Sequence, residues 1–331
     1  MTTPSRPLLA TLFRSFCILV LNTDAETVTC SPSVYAKYAA INPSLGRLDC
    51  MGVRQDLVFP IAKRWIAGKD MKAALDAAKE ANRRGLIALL NFLGEDVTDV
   101  ALAESQTNEY FALQKAMAEE GVRGSVSVKL TQLGLLVSEQ VAAERLVGLA
   151  SNAGSLGQLL WLDMEGSKFT DKTLQMYAHL FQTNKNVGLA LQAYMRRSEK
   201  DLSSLLDAGA RVRLVKGAYR EDDQTVYRFR REVSENYSRL MRQLFERGEN
   251  FTIATHDSTL VDEARKLADS HHKPFEFGML RGIRDELKAE LVASGYKVVD
   301  YIPYGDQWYA YSVRRIKEHP SNAWLLLRSL F

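Results

Sequence analysis

Cysteine is rare in this sequence. The three present, Cys17, Cys30 and Cys50, all fall within the first fifty residues. Three is an odd number, and no CxxC pair or Cys/His ligand spacing occurs. A disulfide framework and a zinc site are therefore not expected, no metal site is predicted, and reduced thiols of a cytosolic protein fit better. The apolar run Leu8 to Leu21 is interrupted by Arg14 and is too short to span a bilayer. No small-residue cleavage site clearly follows it, so a secretory signal is not expected. Packing of this run on the main domain is the reading preferred over contact with a membrane surface. A strong charge of one sign is missing too. The net charge is +3, and basic residues gather only in short clusters such as Arg228-Phe-Arg-Arg231. That argues against nucleic acid as a partner. No internal repeat, low-complexity tract or obvious linker is present.

What is present is an ordinary globular composition, 46% hydrophobic and 25% charged. The 331 residues suit one α/β barrel of about 250 residues with additions. From residue 85 the chain alternates short apolar runs with longer amphipathic ones. The runs predict strands at Gly85–Phe92, Ser125–Leu130, Leu160–Glu165, Asn186–Tyr194, Val212–Ala218, Phe251–Asp257, Phe275–Leu280 and Lys297–Tyr304. Each has the near-continuous apolar character of a parallel strand buried on both faces. Helices are predicted between them at 98–120, 134–152, Asp171–Gln182, Ser198–Leu206, 224–247, 258–270 and 282–294. Ser198 opens its helix with a Ser-x-x-Asp cap signal. The charges of 224–247 read as a solvated face, and Asp285-Glu-Leu-Lys-Ala-Glu-Leu gives paired charges around an apolar stripe.

Eight β-then-α units are the count of a closed (β/α)8 barrel. The alternative, a doubly wound open sheet, usually carries a Gly-rich phosphate loop after its first strand, and Leu93-Gly-Glu95 is not one. Residues 1–84 read as an N-terminal helical segment, clearest at Asp70–Arg83, and 85–331 as the barrel domain.

Active sites of such barrels lie at the C-terminal strand ends. Here those ends carry Lys129, Asp163-Met-Glu165, Gln192-Ala-Tyr194, Arg213-Leu-Val-Lys216-Gly217-Ala218-Tyr219, Thr255-His256-Asp257, Glu276-Phe-Gly278-Met-Leu280 and Tyr301. Taken singly, each has a plain explanation. A lysine at a strand end reaches water, Asp163 and Glu165 share one strand face and could serve structural ion pairing as well as bind a substrate ammonium, and Gly217 could serve a turn. Tyr311 precedes Arg314 and Arg315 by three and four residues, so one helical turn groups a phenol with two guanidinium forks. That is either a clamp for a small carboxylate or a solvated Arg-Arg pair. Seven polar strand ends in one ring favour a large cofactor beside a small zwitterion.

In combination and order, Leu-Asp163-Met-Glu165, Gln192-Ala-Tyr194, Arg213-Leu-Val-Lys-Gly-Ala-Tyr219, Thr255-His256 and Tyr311-x-x-Arg314-Arg315 resemble proline dehydrogenase. The likeness is to the short, single-function bacterial type and covers roughly residues 55–331; residues 1–54 have no counterpart. It implies a distorted (β/α)8 barrel with a final helix over its mouth, FAD as cofactor, and oxidation of L-proline to Δ1-pyrroline-5-carboxylate. By the same resemblance, Arg314 and Arg315 clamp the proline carboxylate. Lys129, Asp163, Tyr301 and Tyr311 line the pocket, while Tyr219 and Leu280 pack on the ring. Arg213 is expected near the flavin N5 and Gln192 at its pyrimidine edge. Val215, Lys216, Gly217 and Ala218 fall on the ribityl-phosphate side, and Thr255 and His256 at the adenine-pyrophosphate end. Glu95 resembles a glutamate that pairs with an active-site arginine as a gate. A quinone is the implied electron acceptor and a cytoplasmic location is expected, with peripheral membrane contact and a homo-oligomer left open.

Two positions depart from the family pattern. Gly278 stands where a glutamine is usual, and Asp257 where many members have asparagine. A carboxylate beside a pyrophosphate is repulsive unless it turns away. Tyr301 should crowd a hydroxylated ring, which favours proline over hydroxyproline. A Schiff-base aldolase using Lys129 or Lys216 is the rival from another class.

Overall fold

The computed structural model describes residues 59, 62–309, 311 and 312. Eight parallel strands close into a barrel in sequence order: β1 Ile87–Phe92, β2 Gly124–Val128, β3 Leu160–Leu162, β4 Val187–Gln192, β5 Arg211–Val215, β6 Phe251–Ala254, β7 Phe275–Leu280 and β8 Lys297–Tyr304. The eight helices described are α1 Met71–Arg83, α2 Val100–Glu119, α3 Glu139–Ser155, α4 Ser167–Thr183, α5 Ser198–Asp207, α6 Arg230–Arg247, α7 Ser258–His271 and α8 Asp285–Ala293. Among the described residues no helix is long and apolar enough to cross a membrane.

Side-chain alternation splits the interior in two. Ala88, Leu90, Val126, Val128, Leu160 and Leu162 face outward and join Tyr110, Leu113, Leu146 and Leu149 of the helices in one large buried cluster. Burying each such leucine is worth about 1.5–3 kcal/mol. Leu89, Trp161 and Val299, with Ile87 and Tyr301 beside them, form a separate cluster inside the barrel. The register puts Gly188 beside Trp161 and Arg213 beside Ala190 on that inner side. A β-carbon at Gly188 would lie 2.5 Å from the indole, so the glycine is what admits the tryptophan.

Helix α1 packs on both β1 and β8 and so covers the seam where the barrel closes. Its Ala74, Ala77, Ala78 and Ala81 are buried and allow a close approach. Asp70 caps it by accepting from the Ala73 N–H at 2.8 Å. Such a cap contributes about 1 kcal/mol. At the other end Asn82 donates to the carbonyls of Leu86 and Arg123, tying α1 to the entries of β1 and β2. One helix of the wall is thus drawn from residues 1–84.

One expectation about a helix fails. Ser198 is not the cap of α5: that place falls to Arg197, and the Ser198 hydroxyl instead donates to the Gln192 carbonyl. Asp201 is engaged by the Arg197 guanidinium at 2.7 Å. The paired charges expected from Asp285 onward are present, with Lys288 Nζ 3.0 Å from Asp285, but Lys288 is not a surface residue. It is 1% exposed and pairs at 2.5 Å with buried Asp300 of β8.

The contacts divide the chain into two compact units, Ala67–Gly305 and the remainder. In the smaller unit the Trp65 indole donates to the Ser312 hydroxyl at 3.0 Å, and Ser312 donates to the Trp308 carbonyl. Tyr311 is buried there. Arg314, Arg315 and the expected final helix lie outside the described residues, as do residues 1–54.

Candidate active site

Asp163, just past β3, is the hub of the C-terminal face. One carboxylate oxygen accepts from the Ser127 hydroxyl at 2.7 Å and from Arg213 Nη2. The other accepts from the Tyr301 phenol at 2.9 Å and lies 3.6 Å from Lys129 Nζ. Four strands, β2, β3, β5 and β8, thus meet on one carboxylate. Burial opposes its charge, but Arg213, Lys129 and the two hydroxyl donors outweigh that and hold the carboxyl below its ordinary range. The Arg213 guanidinium also lies over the Trp161 ring, 4.9 Å from its centroid, a cation–π contact.

Two buried polar atoms beside this hub have no hydrogen-bond partner among the described residues: Arg213 Nη1 and Gln192 Oε1. Gln192 is otherwise anchored, its amide donating to the carbonyls of Met164 and Glu165. A buried donor and a buried acceptor left open are costly, about 1–3 kcal/mol each, unless a ligand completes them. The edge of a flavin ring offers complementary acceptor and donor atoms, so these residues fit the implied cofactor.

The loop after β5 is shaped by Gly217. Its φ is +108°, and a β-carbon there would run into the Tyr194 ring. Val215 ends β5 opposite Gln192, and Ala218 and Tyr219 follow Gly217, half-buried. Lys216 Nζ lies 2.8 Å from Asp257 and 3.2 Å from the Ser234 hydroxyl. Asp257 also caps α7 through the Thr259 N–H. Burial resists its charge, yet the bond and charge of Lys216 keep its carboxyl below the usual range. The carboxylate feared as a repulsive group is therefore neutralised locally. Thr255 is buried, its hydroxyl accepting from the Asp257 N–H. The His256 ring accepts from the Leu280 N–H at 2.9 Å through Nε2, which ties β6 to the end of β7.

Asp163 and Glu165 do not act as a pair. Glu165 turns to the loop after β2, accepting from the Thr131 N–H at 3.1 Å and from the Thr131 hydroxyl. Burial lifts its carboxyl to about 7, with the Thr131 bonds and Lys129 pulling it down and Glu95 adding to the rise. Glu95 is half-buried in the loop after β1.

The structure thus brings together Lys129, Asp163, Gln192, Arg213 and Tyr301 in one ring of strand ends. Sequence reasoning missed Ser127, Trp161 and Thr131. Only the inward parity of Ser127 with Lys129 could have signalled the first. Serine, tryptophan and threonine are otherwise common strand and loop residues.

The sequence profile of the family described as proline dehydrogenase matches residues 74–326. Proline dehydrogenase 2 of Bacillus subtilis (strain 168) is 33% identical over 264 residues, 79% of this chain and 87% of the relative. Proline dehydrogenase of Deinococcus radiodurans is 34% identical over 284 residues, 82% of this chain and 91% of its own. Among solved structures, proline utilization A from Bdellovibrio bacteriovorus, inactivated by N-propargylglycine, superposes with a TM-score of 0.77 at 22% identity. That superposition covers 98% of this chain but 44% of the longer protein. At that identity the likeness concerns the fold, and this chain spans less than half of that protein's length.

Proposed function

Because this chain belongs to the proline dehydrogenase family, flavoenzymes that act on proline, we propose that its barrel mouth binds FAD and oxidises L-proline to Δ1-pyrroline-5-carboxylate. The observation that carries the site assignment is the Asp163 hub. It fixes Lys129, Arg213 and Tyr301 around one carboxylate while Arg213 Nη1 and Gln192 Oε1 stay open for a ligand. In the reaction the amine gives up a proton and the adjacent carbon a hydride, leaving a C=N bond. A bound flavin supplies the two-electron acceptor that no side chain provides.

The chain's own residues bind and orient. Gln192 and Arg213 hold the cofactor edge, and Arg213 places a fixed positive charge where negative charge accumulates. Val215, Lys216, Gly217, Ala218, Thr255 and His256 form the rest of the cofactor side. Lys129, Asp163, Tyr301, Tyr219 and Leu280 line the substrate side, with Tyr311, Arg314 and Arg315 as the carboxylate clamp and Glu95 as the gate. Holding the reacting carbon in place is the largest rate benefit such a site offers. A quinone takes the electrons onward.

The Schiff-base reading is disfavoured because both of its lysines are ion-paired, Lys129 to Asp163 and Lys216 to Asp257. An ammonium lacks the lone pair that a nucleophile needs. An absorption spectrum of the purified protein tests the proposal. Flavin bands bleached by L-proline are expected. A colourless protein that gains no activity with added FAD overturns it. A higher kcat/KM with hydroxyproline would shift the substrate assignment within the family.

A further inference from the structure

Three strand ends meet at a residue outside the Asp163 hub. Thr131 is fully buried and makes four hydrogen bonds. Its N–H donates to Glu165 Oε2 at 3.1 Å, and its hydroxyl donates to Glu165 Oε1. The same hydroxyl accepts from the Asp96 N–H at 2.9 Å, and its carbonyl accepts from the Val97 N–H at 3.2 Å. Glu165 follows β3, Thr131 follows β2, and Asp96 and Val97 follow β1 directly after Glu95.

The loop needs such an anchor. Asp96 adopts φ +52°, a left-handed conformation rare for a residue with a side chain. Around it the loop lies in a polar cradle. Gln132 Nε2 donates to the Phe92 carbonyl at 3.0 Å, and the buried Tyr110 hydroxyl reaches both Phe92 O and Gln132 Oε1. Gly94 carries no side chain where a β-carbon would sit 2.7 Å from Gln132 Nε2. The Glu165 carboxylate draws Thr131 in and, by like charge, disfavours the approach of Glu95. Lys129 lies two residues before Thr131, so the same anchor sets the segment that points its ammonium at Asp163.

We propose that Thr131, held by Glu165, is a positioning residue that fixes the Glu95 loop and the Lys129 segment relative to the substrate site. For its kinetic consequence it rests on the proline dehydrogenase reading; the anchoring itself rests on geometry alone.

Thr131→Val removes the hydroxyl at constant shape, and Thr131→Ser restores it. Hydrogen–deuterium exchange of the peptide containing Asp96 and Val97 reads the anchor. Steady-state rates with L-proline on the flavin-loaded enzyme read its purpose. Losing a buried hydrogen bond should raise loop exchange and the KM for proline by about tenfold in the valine variant, with kcat within about twofold of the unaltered enzyme. Serine should return both. Should the valine variant fail to fold, Glu165→Gln serves instead, since its amide cannot accept from both Thr131 donors. Unchanged exchange would overturn the anchor. Raised exchange with unchanged KM, or an equal loss in kcat, would overturn the positioning role. Were the unaltered enzyme inactive on proline, the kinetic arm would fail with the functional reading and exchange would still decide the anchor.

Discussion

Lys216 and Asp257 form an ion pair at 2.8 Å, from the end of β5 to the cap of α7. One partner is the cation expected near the cofactor phosphates, and the other is the residue that departs from the family pattern. The pair makes the proposed cofactor side of this barrel less positive than Lys216 alone would. Asp257→Asn keeps the cap, since asparagine caps as well as aspartate, and releases the cation. Flavin affinity should rise about three- to tenfold at low salt, and the gain should shrink as salt screens it. Flavin fluorescence titration measures this; equal affinities would show that Lys216 faces no phosphate.

Asp163→Asn removes the charge that buried Arg213 and half-buried Lys129 share. Breaking such a buried network costs about 3–5 kcal/mol, and activity on proline should fall at least about a hundredfold. The pH sign follows from its lowered pKa. The stabilising effect of Asp163 is complete above its unfolded value of 3.8 and is lost as pH falls through the lower folded value. Urea unfolding at a series of acidic pH values should show this loss in the unaltered protein and a flatter profile in the variant.

Glu165 works in the opposite sense. Its folded pKa, about 7 against 4.5 unfolded, makes stability greatest below 4.5 and lost as pH rises through about 7. The contribution is up to about 3 kcal/mol. Glu165→Gln should flatten stability across that window; a profile still falling as steeply would assign the dependence to another group.

Gly217→Ala places a methyl against the Tyr194 ring at a left-handed φ. A loss of about 2 kcal/mol or more is expected, together with weaker flavin retention. Thermal melts with and without FAD check both. A neutral alanine would mean the loop relaxes away from Tyr194.

Arg315→Met tests the clamp read from the sequence. KM for proline should rise by about two orders of magnitude or more while flavin stays bound, as expected when a charge-assisted carboxylate contact is lost. An unchanged KM removes this arginine from the site.

The barrel was legible because its strands are short, near-continuous apolar runs that alternate with longer amphipathic segments. All eight strand expectations coincide with observed strands, but several overran. The strand expected to reach Glu165 stops at Leu162, because Glu165 leaves the ladder to hold Thr131. Lys129, Asp163, Arg213 and Tyr301 stood out as charge or phenol at a strand end. Ser127 and Trp161 did not, since their role lies in what they touch across the barrel. Lys288 exceeds its pattern for a similar reason. Its helix reads as paired charges around an apolar stripe, and only the partner Asp300, twelve residues on, shows that the ammonium is enclosed. Pattern along a chain reports exposure on average, whereas pairing across it decides the individual case.

The helix that covers the β8–β1 seam precedes the first strand. Among the described residues, the seam between the first and last strands is therefore sealed from the N-terminal side of the chain. The wall that shuts the barrel is made before any strand it shuts, so closure waits only for β8 to arrive at a surface already laid beside β1.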